Sequence, residues 1–194
     1  MAVILALGGV SLVAYPFATD LWAERIQKGL VTDLASNAMR YRLGEIRTGE
    51  ALTRLEIPRL DVDVVVVEGT TNAALAAGAG HYPETPLPGE EGNVAIAGHR
   101  TTYGKPFSRM DELVEGDLVT LTTPIGKHTY EIMSRPWVVD PFDWSPVDDY
   151  PDEAGTSFLT LTSCHPEGSA TYRIIVRGRL VKSTGAIAEK ASTS

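Results

Sequence analysis

The 194 residues give room for one well-cored domain and a short appendage, and not for two full domains. With 17 Lys+Arg against 25 Asp+Glu the net charge is −8, which excludes a nucleic-acid partner held through phosphate contacts, and 43% hydrophobic residues exclude a disordered chain. The single cysteine, Cys164, excludes an internal disulfide and a cysteine zinc finger.

Residues 1–19, MAVILALGGVSLVAYPFAT, carry no charged side chain and match the length of one bilayer-crossing helix, so a transmembrane anchor is expected there. The competing reading is a signal peptide cleaved near Ala18, which lacks the basic segment that normally opens one. Arg25 and Lys28 follow the apolar run and only the α-amino group precedes it, so the Lys and Arg count does not argue for a cytoplasmic N-terminus. From residue 20 to about 42, Leu21, Trp22, Ile26, Leu30, Val31, Leu34 and Ala38 recur at spacings near three and four. That pattern predicts an amphipathic stalk helix, and residues 20–50 are read as a juxtamembrane helix and linker.

Beyond residue 50 the pattern changes to short runs of β-branched and aliphatic residues, predicting strands over 52–60 and 62–68, broken by Pro58 and stopped at Gly69. Further strands are expected at 93–98, 117–123, 128–139, 157–165 and 172–181, with short helical patches at 73–77 and 107–114. So many strands without alternating helices predict an all-β sandwich or closed barrel and exclude a doubly wound fold. The domain is bounded at 51–182. The small polar residues of 183–194 cannot bury enough surface to order themselves, so a disordered tail is expected there.

Residues 157–165, SFLTLTSCH, place Leu159, Leu161 and Ser163 on one strand face and Phe158, Thr160, Thr162 and Cys164 on the other. The leucine face suits a core, and the face with two threonines and the thiol suits a groove. A nucleophilic thiol needs a base, because an unperturbed cysteine is only a few per cent thiolate at neutral pH. Among His81, His99, His128 and His165, the strand over 93–98 delivers His99 at a rigid end, a good way to hold a general acid or base. His128 is read as solvated, His81 as a structural hydrogen-bonding group in a turn, and His165 as pointing away from the thiol. Alternation puts Arg173, Arg177 and Arg179 on one face of the last strand, and spacing does not choose among them as an oxyanion donor. No paired-ligand spacing appears, so neither metal nor cofactor is expected.

TLTSC at 160–164 has GNVAIAGHR at 92–100 upstream and RIIVRGRL at 173–180 downstream, with LEIPRL at 55–60, GAGHYPETPLPG at 78–89 and the Gly116-Asp117 turn. Together these segments resemble the sortases, the cysteine transpeptidases of Gram-positive cell envelopes, across roughly residues 51 to 181. The resemblance implies that Cys164 is the nucleophile, His99 the general acid/base and Arg173 the donor to the substrate carbonyl, choosing Arg173 where alternation could not. It also implies an eight-stranded closed β-barrel with short helices, anchored on the outer face of the membrane.

Two departures stand out. Ser163 occupies the place of a threonine in the family's T-L-x-T-C motif, and DPFDW at 140–144 is similar to the lid of pilus-building sortases but lies between two late strands. We read it as part of the loop walling the substrate groove. The HYP at 81–83 and Cys-His-Pro at 164–166 are most similar to class E housekeeping sortases, which implies an LAxTG signal in place of LPxTG, with Tyr82 linked to that preference. Thr160 and Thr162 share the thiol's face as candidate substrate contacts. The partners implied are secreted proteins bearing a C-terminal sorting signal and a peptidoglycan precursor amine. Two other readings use the same residues: a membrane-bound cysteine protease with water as acceptor, and a non-enzymatic barrel with an inert buried thiol.

Overall fold

The computed structural model describes residues 2–148 and 155–186, with side chains from residue 14 onward. The strands are β1 (Ala51–Ile57), β2 (Val62–Glu68), β3 (Ala79–His81), β4 (Gly92–Gly98), β5 (Leu118–Thr122), β6 (Gly126–Ile132), β7 (Trp137–Val139), β8 (Ser157–His165) and β9 (Tyr172–Gly185). They form one sheet in the order β6-β5-β1-β2-β3-β4-β8-β9-β7, and pairing of β6 with β9 closes it. Without β7, the ring is an eight-stranded closed barrel, as the resemblance implied.

Alternation fills the barrel. Val94 and Ile96 of β4 stand level with Leu159 and Leu161 of β8, and all four are buried with Leu55, Ile57, Ile174 and Val176 in one core. β4 and β8 run parallel, as do β2 and β3, while the other pairs are antiparallel.

The sequence missed β3, whose three residues AGH carry little strand signal, and fused β6 with β7. Pro136, which has no N–H for a ladder, stands between them. The division matters: β9 pairs with β7 through 173–175 and with β6 from Gly178 onward, so the barrel wall forks along one strand. β9 also runs past the expected domain end, with Ser183, Thr184 and Gly185 laddered to His128, Lys127 and Gly126. The ordered domain therefore reaches Gly185, and residues 187–194 of the expected tail lie outside the described residues.

Helix α1 spans Ala2–Ser36, followed by α2 (Ala38–Arg42). The anchor expected over residues 1–19 falls mostly on residues whose side chains lie outside the described set, and among the described residues no helix is long and apolar enough to cross a membrane. The following part of α1 buries a narrower stripe than its apolar pattern suggested. Ile26, Leu30 and Leu34 pack on Ala51, Val65, Val67, Ala74 and Ala77, while Leu21, Trp22 and Val31 face outward. Gln27 fixes the helix to the barrel. Its amide donates to the carbonyls of Val65 (3.0 Å) and Ala77 (2.6 Å) and accepts from the Val65 N–H (2.7 Å), just before β2 begins its pairing with β3 at Val66.

Candidate active site

The parallel β4–β8 register pairs Ala95 with Thr160 and Ala97 with Thr162, so continuing it sets His99 level with Cys164. Ser163 carries the alignment one step past the last pair, its hydroxyl donating to the Gly98 carbonyl at 2.6 Å, so the residue that departs from the family motif retains a structural hydroxyl. On the other side of β8, Cys164 pairs with Arg173 and Thr162 with Ile175, and β7 continues the rows with Val139 beside Arg173 and Trp137 beside Ile175. One row across the outer face of the barrel therefore reads His99, Cys164, Arg173. Below it runs Ala97, Thr162, Ile175.

The end of β4 is held by close packing. A Cβ on Gly98 would meet the ring of buried Phe107 at 2.6 Å, so glycine is needed for that ring to lie against the strand. Phe107 also donates its N–H to the His99 carbonyl at 3.1 Å. Burial pulls the His99 imidazole below its ordinary value, favouring the neutral ring. Tyr103 covers it, the two rings lying 5.4 Å apart and tilted by 37°.

Cys164 is partly exposed. Arg173 anchors itself locally, Nη1 donating to the carbonyls of Ala170 (3.0 Å) and Tyr172 (2.9 Å). The other two arginines of that face are occupied elsewhere. Arg177 lies over Trp137 at 5.1 Å and donates to the Pro146 carbonyl at 3.1 Å, and Arg179 lies over Phe158 at 5.4 Å. Geometry thus separates three arginines that alternation left equivalent.

Tyr82 stands over the second row, with its hydroxyl 3.0 Å from Thr162 Oγ1 and its ring edge-on to Trp144 at 6.3 Å. Burial raises the phenol's pKa, and the charge of Arg173 acts against that rise. Tyr82, Trp144, Pro146, Thr162, Arg173 and Ile175 line a groove beside Cys164, so DPFDW at 140–144 contributes to a groove wall, as read, and the wall runs on through Pro146 and Val147. Thr160 does not line it. It is fully buried, and its hydroxyl donates to Asn93 Oδ1 at 2.8 Å, so the threonine expected to meet substrate instead ties β8 to β4. Asn93, missed in the sequence, is the organiser: buried, it also donates to the carbonyls of Pro146 (3.0 Å) and Asp148 (3.1 Å), holding the groove wall down.

The remaining histidines are occupied. His81 is buried, with Nδ1 2.8 Å from Glu68 Oε2 and Nε2 3.0 Å from the Pro86 carbonyl, a structural role as expected. His128 is fully buried, not solvated, because alternation turns it inward at the barrel end, where Nδ1 lies 3.0 Å from Ser183 Oγ. His165 points away from Cys164 and accepts from Arg100 Nη1 at 3.2 Å. Arg100, itself buried, pairs with Asp111 at 2.5 Å and braces the stretch between β4 and β5.

A sortase-domain family model matches residues 55–181, the whole of this barrel from β1 into β9. The chain belongs to the sortase family. Among curated relatives, Sortase SrtE1 of Streptomyces coelicolor is 35% identical over 72% of this chain and 43% of its own length. Sortase D of Bacillus subtilis is also 35% identical, over 77% of this chain and 72% of its own. This sortase thus spans under half the length of the Streptomyces relative. Among solved structures, sortase E of Streptomyces avermitilis superposes with a TM-score of 0.65 at 36% identity, covering 72% of this chain and 93% of that one. Sortase D5 of Clostridium perfringens gives 0.71 at 28%, covering 81% and 99%. Class E members recur on both sides of the comparison, and this sortase is most like class E.

Proposed function

We propose that this sortase cleaves a C-terminal LAxTG or LPxTG-type sorting signal between Thr and Gly and joins the freed carboxyl to a peptidoglycan amine. The Cys164 sulfur attacks the Thr carbonyl carbon while the neutral His99 ring takes the thiol proton. Arg173 donates to the oxyanion, and His99 returns the proton to the departing glycine amine, leaving a thioacyl enzyme. An amine of a cell-wall precursor then attacks the thioester, His99 accepts its proton, and the thiol is restored as the new amide forms. Tyr82 and Thr162 contact the extended signal in the groove. Residues 1–19 anchor the enzyme, with the barrel on the outer face of the membrane and secreted proteins as substrates.

The observation that carries this reading is the cross-strand pair Cys164–Arg173 with His99 one residue past the end of β4, where continuing the β4–β8 register sets it level with the thiol. A base and a cation flanking one partly exposed thiol suit acyl transfer. The experiment is intact-mass spectrometry of the full chain in detergent with LAxTG and LPxTG peptides, with and without a glycine or diaminopimelate amine. The expected result is an adduct on Cys164 that the amine discharges into a new amide. Discharge by water alone, unaffected by amine, would replace transfer with proteolysis. No adduct in folded protein would leave a binding barrel.

A further inference from the structure

The loop after His99 contains three successive residues in the left-handed backbone region: Tyr103 (φ 55°), Gly104 (φ 75°) and Lys105 (φ 37°). Only the middle one is a glycine, and non-glycine residues rarely adopt this region unless their surroundings impose it. Here the surroundings belong to helix α1. Thr19 Oγ1 accepts from the Tyr103 N–H at 3.4 Å, Asp20 Oδ1 accepts from the Gly104 N–H at 2.9 Å, and Asp20 Oδ2 pairs with Lys105 at 3.5 Å. The Trp22 ring meets the Tyr103 ring edge-on at 5.9 Å, and the Tyr15 hydroxyl lies 3.2 Å from the Tyr103 hydroxyl.

Tyr103 thus has two sides. One is clasped by Tyr15, Thr19 and Trp22 of α1, while Asp20 holds the neighbouring Gly104 and Lys105, and the other lies against the His99 imidazole at 5.4 Å. We infer that Tyr103 is a positioning residue for His99, and that α1 acts on the site by holding Tyr103 against that ring. The inference rests on the reading of His99 as general acid/base and adds what fixes its orientation. A histidine that moves a proton between sulfur and amine must present the same nitrogen to both, and a covering aromatic face limits rotation about its side-chain bonds.

Other groups near the ring do not supply this restraint. Cys164 and Arg173 lie on β8 and β9 at the level that the continued β4–β8 register gives His99, but they are the reacting partners. Arg100, the next residue along, is taken up by Asp111 and His165. Lys105 is paired with Asp20 of α1. The α1 helix therefore reaches the site through one aromatic side chain, at the point where the chain leaves the segment expected to be its anchor.

The test uses the full chain in detergent, with histidine ring carbons labelled for NMR and transfer kinetics run alongside. Four proteins are compared: wild type, Tyr103→Phe, Tyr103→Ala and Asp20→Ala. Tyr103→Ala should move the His99 ring resonances out of the aromatic shielding and lower kcat at least tenfold with KM within twofold. Tyr103→Phe keeps the ring and should restore both. Asp20→Ala releases the loop from α1 and should move the His99 resonances in the same direction as Tyr103→Ala. Unchanged His99 resonances in cooperatively folding Tyr103→Ala would overturn the inference, as would equal losses in the Ala and Phe variants. Absence of transfer by wild type would reject the transpeptidase reading alone, since the resonance comparison needs no substrate and still decides the contact.

Discussion

Cys164 and Arg173 are direct cross-strand partners on β8 and β9, so the thiol and the guanidinium rise side by side from the same row of the barrel wall. Neighbouring strands lie about 5 Å apart, so this pairing is fixed by the ladder and not by a loop. Removal of the guanidinium by Arg173→Ala should lower the rate of acyl-enzyme formation by about 100- to 1,000-fold, the usual cost of an oxyanion donor. Arg177→Ala, which loses the Trp137 and Pro146 contacts, should cost about 1 kcal/mol of stability and less than tenfold in rate. Rapid-quench mass spectrometry and chemical denaturation read the two effects, and equal rate losses would contradict the assignment.

Cys164→Ala should abolish the covalent adduct while leaving the fold within about 0.5 kcal/mol of wild type, because the thiol is partly exposed and outside the core. Intact mass with peptide substrate and a denaturant melt are sufficient. Turnover retained by this variant would exclude the mechanism.

Burial holds both His99 and His128 below the ordinary histidine value of 6.5. The unfolded chain takes up these protons as pH falls below 6.5, and the folded chain resists until a lower pH. Their share of stability is therefore present above pH 6.5 and is lost as pH falls through the folded values. Carboxylates such as Asp63, held down by its hydrogen bonds from Arg54, contribute a separate loss that starts only near their ordinary value of 3.8. The thermal midpoint should fall between pH 7 and 5, and His128→Asn should flatten that fall. In kinetics, the acid limb of kcat/KM should lie below 6.5, since His99 must start neutral to take the thiol proton. A limb above 6.5 would contradict that role.

Tyr82→Phe removes only the contact to Thr162 Oγ1, so kcat/KM for the preferred peptide should fall by less than about tenfold. Tyr82→Ala removes a groove wall and should raise KM and narrow the discrimination between LAxTG and LPxTG peptides. Competition kinetics with both peptides in one tube reports the ratio. A ratio unchanged in Tyr82→Ala would take Tyr82 out of specificity.

Asn93→Ala leaves the Thr160 hydroxyl and the Pro146 and Asp148 carbonyls without this buried partner. The cost should be about 2 to 3 kcal/mol, set by the unmet polar groups. A loss no larger than that of a surface substitution would mean that water takes over these bonds.

The strands that carry the core were legible because their period-two pattern is strong, and β8 was read with its faces correctly assigned: Leu159 and Leu161 inward, Cys164 outward. What failed was the inference from polarity to accessibility. Thr160 and His128 look solvent-seeking in sequence, yet each is fully buried, because the Asn93 amide of β4 takes up one and the barrel end encloses the other. Neither cover is local in sequence. Tyr103 was invisible for the same reason: its partners on α1 stand more than eighty residues away. Asn93 left a signal that could have been used, a polar residue opening an otherwise apolar buried strand.

The fork of β9 divides labour along a single strand. Its later half closes the barrel against β6, and its first half, bearing Arg173, is flanked by the three residues of β7 that lead into the groove wall. Selectivity and endurance are thus written in separate stretches of the chain. The wall can be refashioned to admit a different peptide without reopening the seam that keeps the molecule folded.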